Sequence, residues 1–500
     1  MNDQLVRLKE LLGEVIDLNR AAALLAWDQQ TYMPAGGSDA RGQQLATLGK
    51  IAHQKATSPD VGTLLGQLKN ELANESADSD EAALVRVAAR DYDKAVRVPA
   101  EFVAEQAVVT TAAFQAWAEA RAKSDFSIFL PHLEKVLALV KRYISFFPPA
   151  DHPYDVLLDD YEPGMKTAEV QGIFKALRPK QVELIKAIAD RPQIDDRFLR
   201  RKYDEQKLWK FGAELGRGFG YDWERGRMDK APHPFETSFS INDVRITNRF
   251  EAQKPLATLF SAMHESGHAM YEQGIDLEYE RTSLGNGVSL GVHESQSRMW
   301  ENLVGRSMPF WELMYGRLKK LFPAQLEGVG AKSFYRAVNK VEPSMIRVNA
   351  DEATYNLHIM LRLELEIAMV EGSVAVKELP EIWNSKMQEY LGVVPPNDAQ
   401  GVLQDVHWSY GSIGYFSTYA LGNLISVQLW EKMKQDVGDL EAHIRRGDFG
   451  ALLAWLREKI HRHGRKYDPQ ELVMRVTGSK ITPEPYIKYL GQKYSEIYRL

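Results

Sequence analysis

Residues 256–274 (LATLFSAMHESGHAMYEQG) constrain this chain more than any other stretch. Leu256, Leu259, Phe260, Met263, Ala269 and Met270 recur there at mostly three- and four-residue steps. That spacing predicts an amphipathic to largely buried helix, with Pro255 in its first turn and Gly274 at its end. Within it, His264-Glu265-Ser266-Gly267-His268 sets two imidazoles one turn apart on one face, with a carboxylate about 100° round the axis. Imidazoles so placed reach one Zn²⁺ at roughly 2.0–2.1 Å, and Glu265 is left to hold a water beside the ion.

A third ligand is expected from a second helix. The segment 290–300 (LGVHESQSRMW) follows the polar, glycine-rich link 281–287 (RTSLGNG), which can return the chain antiparallel to the first helix. Glu294 on that return completes a His₂Glu set with one position open for water, the arrangement of catalytic zinc. His293 is the local rival, but its ring leaves the helix about 100° away. Glu265 then accepts the water's proton and delivers it to a leaving amine, which is the chemistry of peptide hydrolysis. One of Asp276, Glu278 and Glu280 is expected to hold a ligand imidazole in its tautomer.

Five hundred residues exceed what one core usually holds, so two subdomains enclosing a cleft, or one helical body with lobes, are expected. The net charge of −6, from 62 basic and 68 acidic groups, gives no support for nucleic-acid binding. The absence of cysteine excludes disulfides, thiolate metal sites and a thiol nucleophile. The first twenty residues read as a helix with acidic groups in its apolar stripe, unlike a signal peptide, and 21–27 (AAALLAW) is far too short to cross a bilayer. A cytoplasmic, non-membrane protein is expected.

Helical periodicity dominates elsewhere, over 1–29, 40–54, 61–73, 78–94, 100–123, 128–147, 167–190 and 195–219. Residues 1–125 read as a helical N-terminal region able to act as a lid, and 126–500 as the catalytic body. Around 231–250, Phe239, Ile241, Val244 and Ile246 alternate with polar residues, which predicts a short hairpin just before the metal helix. A strand there suits substrate backbone binding by strand addition.

Two further clusters concern the substrate. Arg347, at the start of a helix read through Leu361, either grips a free carboxylate in bidentate geometry or pairs with Asp351 at i+4. The segment 404–419 is dense in His, Trp, Tyr and Gly, and His407, Tyr410, Tyr415 and Tyr419 make it more polar than a core requires. His461 and His463, two residues apart, point in different directions and are read as caps or cleft-lining groups.

Taken in order, His233-Pro-Phe, Asp243-Val-Arg245-Ile-Thr247, the HExxH segment, His293-Glu294-Ser-Gln, Ile346-Arg347-Val-Asn-Ala-Asp351 and Gly401-Val-Leu-Gln404-Asp405-Val-His407-Trp408 resemble the motifs of the M32 family of metallocarboxypeptidases. The resemblance covers essentially the whole chain. It implies His264, His268 and Glu294 as ligands of one divalent metal, Zn or in some members Co, and Glu265 as general base. Arg347 would meet the substrate carboxylate, with His233, Arg245, His407, Tyr415 and Tyr419 lining the site. It also implies a homodimer with a deep cleft, and broad C-terminal specificity on peptides that disfavours proline. The expected architecture is mostly α-helical: a gluzincin-like body with a deep active-site cleft and a small β element near the metal helix. Two rival readings are a metallo-oligopeptidase acting as an endopeptidase and a metal-free helical scaffold.

Overall fold

Side-chain caps and glycine stops delimit many of the helices. In the computed structural model, which describes residues 3–500, Asp204 accepts from the Lys207 N–H to open the helix Glu205–Phe219, and Gly220, at φ +112°, closes it. Ser289 and Ser307 open Leu290–Arg298 and Met308–Leu321 in the same way. The predicted helix 195–219 therefore starts later than its periodicity suggested. Asp195 to Asp204 form a bend and a short 3₁₀ turn, Arg197–Arg200, before the Asp204 cap.

The chain divides into two units. The first comprises Met1–Val96, Asp195–Val338 and Leu429–Gly478, and the second Arg97–Ile194, Asn339–Gln428 and Ser479–Leu500. The boundary drawn near residue 125 falls between the helices Ala100–Lys123 and Phe126–Ser145, both in the second unit.

In the first unit the N-terminal helices Asp3–Thr31, Pro59–Glu71 and Asp80–Arg97 bring Leu5, Leu8, Val61, Leu65, Leu68 and Leu84 onto Ile241, Ile275 and Leu284, so the start of the chain shares a core with the metal-helix region. The expected hairpin is present as β2 (Glu236–Ser240) antiparallel to β3 (Asp243–Asn248). A third strand, β1 (Met228–Lys230), pairs parallel to β3 and gives the order β1-β3-β2. Val244 and Ile246 of β3 are buried. The helix Ala257–Glu272 packs on β3 and on Glu205–Phe219, where Gly212 and Gly216 admit Ala262 and Ser266. Gly274 does not act as a left-handed cap. It makes room for His461, which a Cβ there would meet at 2.5 Å.

The second unit is built round Tyr355–Glu371, a helix buried on nearly every face, with Thr167–Ala189, Phe126–Ser145 and Leu379–Leu391 against it. The long helix near Arg347 begins at Tyr355, not at Arg347, which sits in the 3₁₀ turn Arg347–Asn349. Asp351 holds the turn that precedes this helix, accepting the N–H groups of Ala353 and Thr354 at 3.0 Å each, and Thr354 is the N-cap residue. The segment 151–164 contains the short helix Tyr154–Leu158. Among the described residues no helix is long and apolar enough to cross a membrane.

Candidate active site

The helix Ala257–Glu272 and its neighbour Leu290–Arg298 approach closely because Gly267 lies at their contact. Glu294 is thereby delivered to the two histidines: its Oε2 lies 3.5 Å from His264 Nε2 and 3.4 Å from His268 Nε2. One ligand atom from each of the three residues lies within 4.8 Å of the others. The edge of a tetrahedron with arms of roughly 2.0–2.1 Å is about 3.3–3.4 Å, so the donor spacing fits a zinc-sized divalent cation.

Each ligand is oriented from behind. His264 Nδ1 donates to Glu301 Oε2 at 2.9 Å, since a carboxylate can only accept. Arg298 and Arg306 in turn bond Glu301, and Arg298 also holds Glu294 Oε1 at 2.7 Å. His268 Nδ1 lies 2.6 Å from His293 Nδ1, and His293 Nε2 lies 3.0 Å from Glu272 Oε1. With Glu272 accepting the Nε2 proton, a neutral His293 presents its Nδ1 lone pair to the His268 Nδ1–H. Both ligand rings then turn a bare Nε2 to the metal position.

The electrostatics of Glu294 and His268 agree with this division. Burial acts to raise the Glu294 carboxyl, but Arg298 and the two imidazoles outweigh it and hold it well below the usual carboxylate range. Burial pushes His268 down to about 3, which keeps it neutral as a ligand must be. His264 is raised despite burial, by Glu294 and Glu301. Glu265, one residue along and buried, is pushed up to about 7 by desolvation.

The tautomer-holding role expected of Asp276, Glu278 or Glu280 falls to Glu301 and to the His293–Glu272 pair. Asp276 accepts the Glu278 N–H at the start of the 3₁₀ turn Leu277–Tyr279, and Glu280 bonds Arg20, Ser240 and the Ile241 N–H. His293 stands behind His268, outside the three-residue cluster. His461, fully buried, donates from Nε2 to Gln296 Oε1 at 2.9 Å, and His463 closes a 3₁₀ turn.

Of the remaining predicted residues, two share the first unit. His233 is exposed on the loop before β2. Arg245 on β3 makes two 2.8 Å bonds to Asp243 and lies over the rings of Trp27 and Phe239. The others share the second unit. Arg347 is 5% exposed and bonds Asp405 rather than Asp351: Nε at 3.1 Å and Nη2 at 2.8 Å meet Asp405 Oδ1, while Nη1 donates to the Tyr355 hydroxyl at 2.9 Å. Tyr419 lies under its guanidinium, and the Tyr415 and Tyr419 hydroxyls are 3.2 Å apart. The His407 ring packs on Tyr415 and Phe416.

Comparison with known proteins is decisive: the sequence profile of the carboxypeptidase Taq (M32) metallopeptidases matches residues 7–494. The chain belongs to the M32 family. This M32 enzyme is 42% identical to thermostable carboxypeptidase 1 of Thermus thermophilus and 37% identical to carboxypeptidase 1 of Bacillus subtilis, with 98% of each chain covered in both cases. It superposes on the crystal structure of an M32 carboxypeptidase from Deinococcus radiodurans with a TM-score of 0.97 at 42% identity, covering both chains in full. For metallocarboxypeptidase 1 of Trypanosoma cruzi the TM-score is 0.93 at 33% identity, again over both full chains. The M32 enzyme is a metallocarboxypeptidase, and its His264–His268–Glu294 cluster is the place for its divalent metal.

Proposed function

We propose that the enzyme releases C-terminal residues from peptides with broad side-chain tolerance, disfavouring proline, and that its metal is Zn²⁺, with Co²⁺ an acceptable substitute. The observation that carries the metal centre is the His₂Glu spacing of 3.4–3.5 Å with both Nε2 atoms directed inward, and the specificity is what the family resemblance implies. Held there, Zn²⁺ supplies a Lewis acid that acidifies a water and polarises the scissile carbonyl. Glu265 takes the proton of the attacking water and passes it to the leaving amine; a carboxyl poised near neutrality suits both transfers. Glu294 and the two imidazoles are oriented by their bonds to Arg298, Glu301 and the His293–Glu272 pair.

Arg347 takes the free carboxylate of the substrate. Three of its five N–H groups are bonded to Asp405 and Tyr355, which leaves one on each terminal nitrogen for a ligand. His233, Arg245, His407, Tyr415 and Tyr419 are the further substrate-binding residues that the family resemblance implies. We further read the protein as a cytoplasmic homodimer with no nucleic-acid partner, on the grounds of its cysteine-free, net-acidic sequence and its family resemblance.

The test pairs one peptide as the free acid and as the C-terminal amide. Arg347→Ala should lower kcat/KM on the acid on the order of 100-fold or more and leave the amide unchanged. Equal losses on both would exclude the carboxylate role, and rapid internal cleavage of the amide by the native enzyme would favour an endopeptidase. Glu265→Ala should retain stoichiometric metal and lose turnover.

A further inference from the structure

Behind Arg347 lies a second arginine that the hydrolytic scheme does not use. Arg362, on the helix Tyr355–Glu371, has no exposed surface. Its Nε donates to Asp405 Oδ2 at 2.7 Å, its Nη1 to the His358 carbonyl at 2.6 Å and its Nη2 to Gln404 Oε1 at 2.8 Å. Gln404 Oε1 also accepts the Arg347 backbone N–H at 2.8 Å, and Gln404 Nε2 is tied to the carbonyls of Met345 and Gln400. The two guanidiniums flank one ring, Phe416, at 5.4 and 5.5 Å. Asp405 is thus divided between them, with Oδ1 to Arg347 and Oδ2 to Arg362.

A lone aspartate beside Arg347 would orient it but also cancel its charge, and a neutral ion pair is a poor host for an anion. Two buried arginines on one aspartate sum to one positive charge. The adjacent imidazoles do not alter that sum: burial holds His358 well below its ordinary value and pushes His407 down to about 4. Arg362 itself cannot meet a ligand directly, because it has no exposed surface and each of its three nitrogens is already bonded within the protein.

We propose that Arg362 is a positioning residue for substrate binding: it takes up the charge of Asp405, so that Asp405 can fix the Arg347 fork while Arg347 keeps a full positive charge for the substrate's terminal carboxylate. The proposal rests on Arg347 as the carboxylate-binding group, and adds a charge-compensating partner behind it. Removing Arg362 leaves Arg347 in place but neutralised by Asp405. Removing both Arg362 and the Asp405 charge returns the cluster to one positive charge.

The experiment measures inhibition of the metal-loaded enzyme by a dipeptide analogue with an N-methylated scissile bond, as free acid and as C-terminal amide. Arg362→Gln is expected to weaken the acid about tenfold while the amide stays within about twofold. Arg362→Gln combined with Asp405→Asn is expected to regain most of the acid preference, which a purely structural role for Arg362 would not restore. Arg362→Lys keeps the charge and should keep the preference. Equal weakening of acid and amide by Arg362→Gln, no recovery in the double variant, or loss of the preference in Arg362→Lys would each overturn the proposal. Arg347→Ala separates the two levels. If it preserves the acid preference, the carboxylate reading of Arg347 fails. If it abolishes the preference while Arg362→Gln does not, only the role of Arg362 fails.

Discussion

Gly267, the second variable position of the HExxH segment, has no chemical part in hydrolysis, yet adding one methyl group there should disable the metal site. A Cβ on Gly267 would lie 2.7 Å from the Gln296 carbonyl oxygen and 2.7 Å from Ser297 Cα, against 3.4 Å for the shortest ordinary contact. Both atoms are backbone, so no side chain can swing aside and the two helices must separate by about 0.7 Å. The displaced helix is the one that carries Glu294, two residues before Gln296. Metal–ligand distances tolerate about 0.2 Å, so the shift exceeds the tolerance more than threefold. Gly267→Ala should weaken metal binding roughly 10- to 100-fold, or about 1.4–2.7 kcal/mol, measured by chelator competition on the purified protein. Gly218→Ala serves as the control, because that exposed helical glycine has nothing within 4 Å of the added methyl. A Gly267→Ala protein with metal affinity within twofold of the native value would refute the argument that helix separation sets the ligand geometry.

Glu272→Ala removes the acceptor behind His293, and should weaken metal binding by about tenfold through the loosened His268 ring; unchanged affinity in the same chelator assay would contradict the relay. Glu366 is fully buried among the Tyr154 hydroxyl, the Trp408 indole and the Gly414 N–H, and burial pushes its carboxyl up to about 7. Its folded value lies above its unfolded value of about 4.5, so its stabilising contribution is complete below pH 4.5 and is lost as pH rises through 7. Glu366→Gln should therefore gain up to about 3 kcal/mol on the native protein between pH 4.5 and 8, read as the difference in urea midpoints; a difference independent of pH would show that the three donors hold the carboxyl at its ordinary value. Chelation should abolish hydrolysis and lower the unfolding temperature, and added Zn²⁺ should restore both; an unfolding temperature indifferent to the metal would argue against a preformed site.

Most of the metal site was legible because helical periodicity converts sequence spacing into direction. His264 and His268 share a face at i, i+4, and Glu294 was reached by asking where a returning helix could supply a carboxylate. The hairpin before the metal helix was equally plain from alternation. What escaped was whatever depends on a partner distant in sequence. Asp276, Glu278 and Glu280 were favoured to orient the ligands because they follow the metal helix closely, whereas the group that does so for His264 is Glu301, brought there by tertiary packing. For Arg347 the spacing offers Asp351 at i+4 as one of two alternatives, and that alternative presumes a continuous helix. The turn held by Asp351 puts the helix start at Tyr355, and Arg347 meets Asp405 from a different segment. The shared core of the first unit could not be read from order along the chain either, since Leu5 and Leu284 belong to one buried cluster although they lie on two stretches far apart in sequence.

The helix bearing Glu294 does not end at Arg298 but widens into a π-helical stretch, Met299–Val304, closed by a bond from the Gly305 N–H to the Trp300 carbonyl at 2.9 Å. Such a bulge holds one residue more than a regular turn, with Glu301 inside it. Excising a single residue ahead of Glu301 would let the stretch relax to ordinary α-helix and would rotate its carboxylate about 100° away from His264. The length of this segment is therefore constrained as well as its composition, because the surplus residue sets the direction in which Glu301 faces the His264 imidazole.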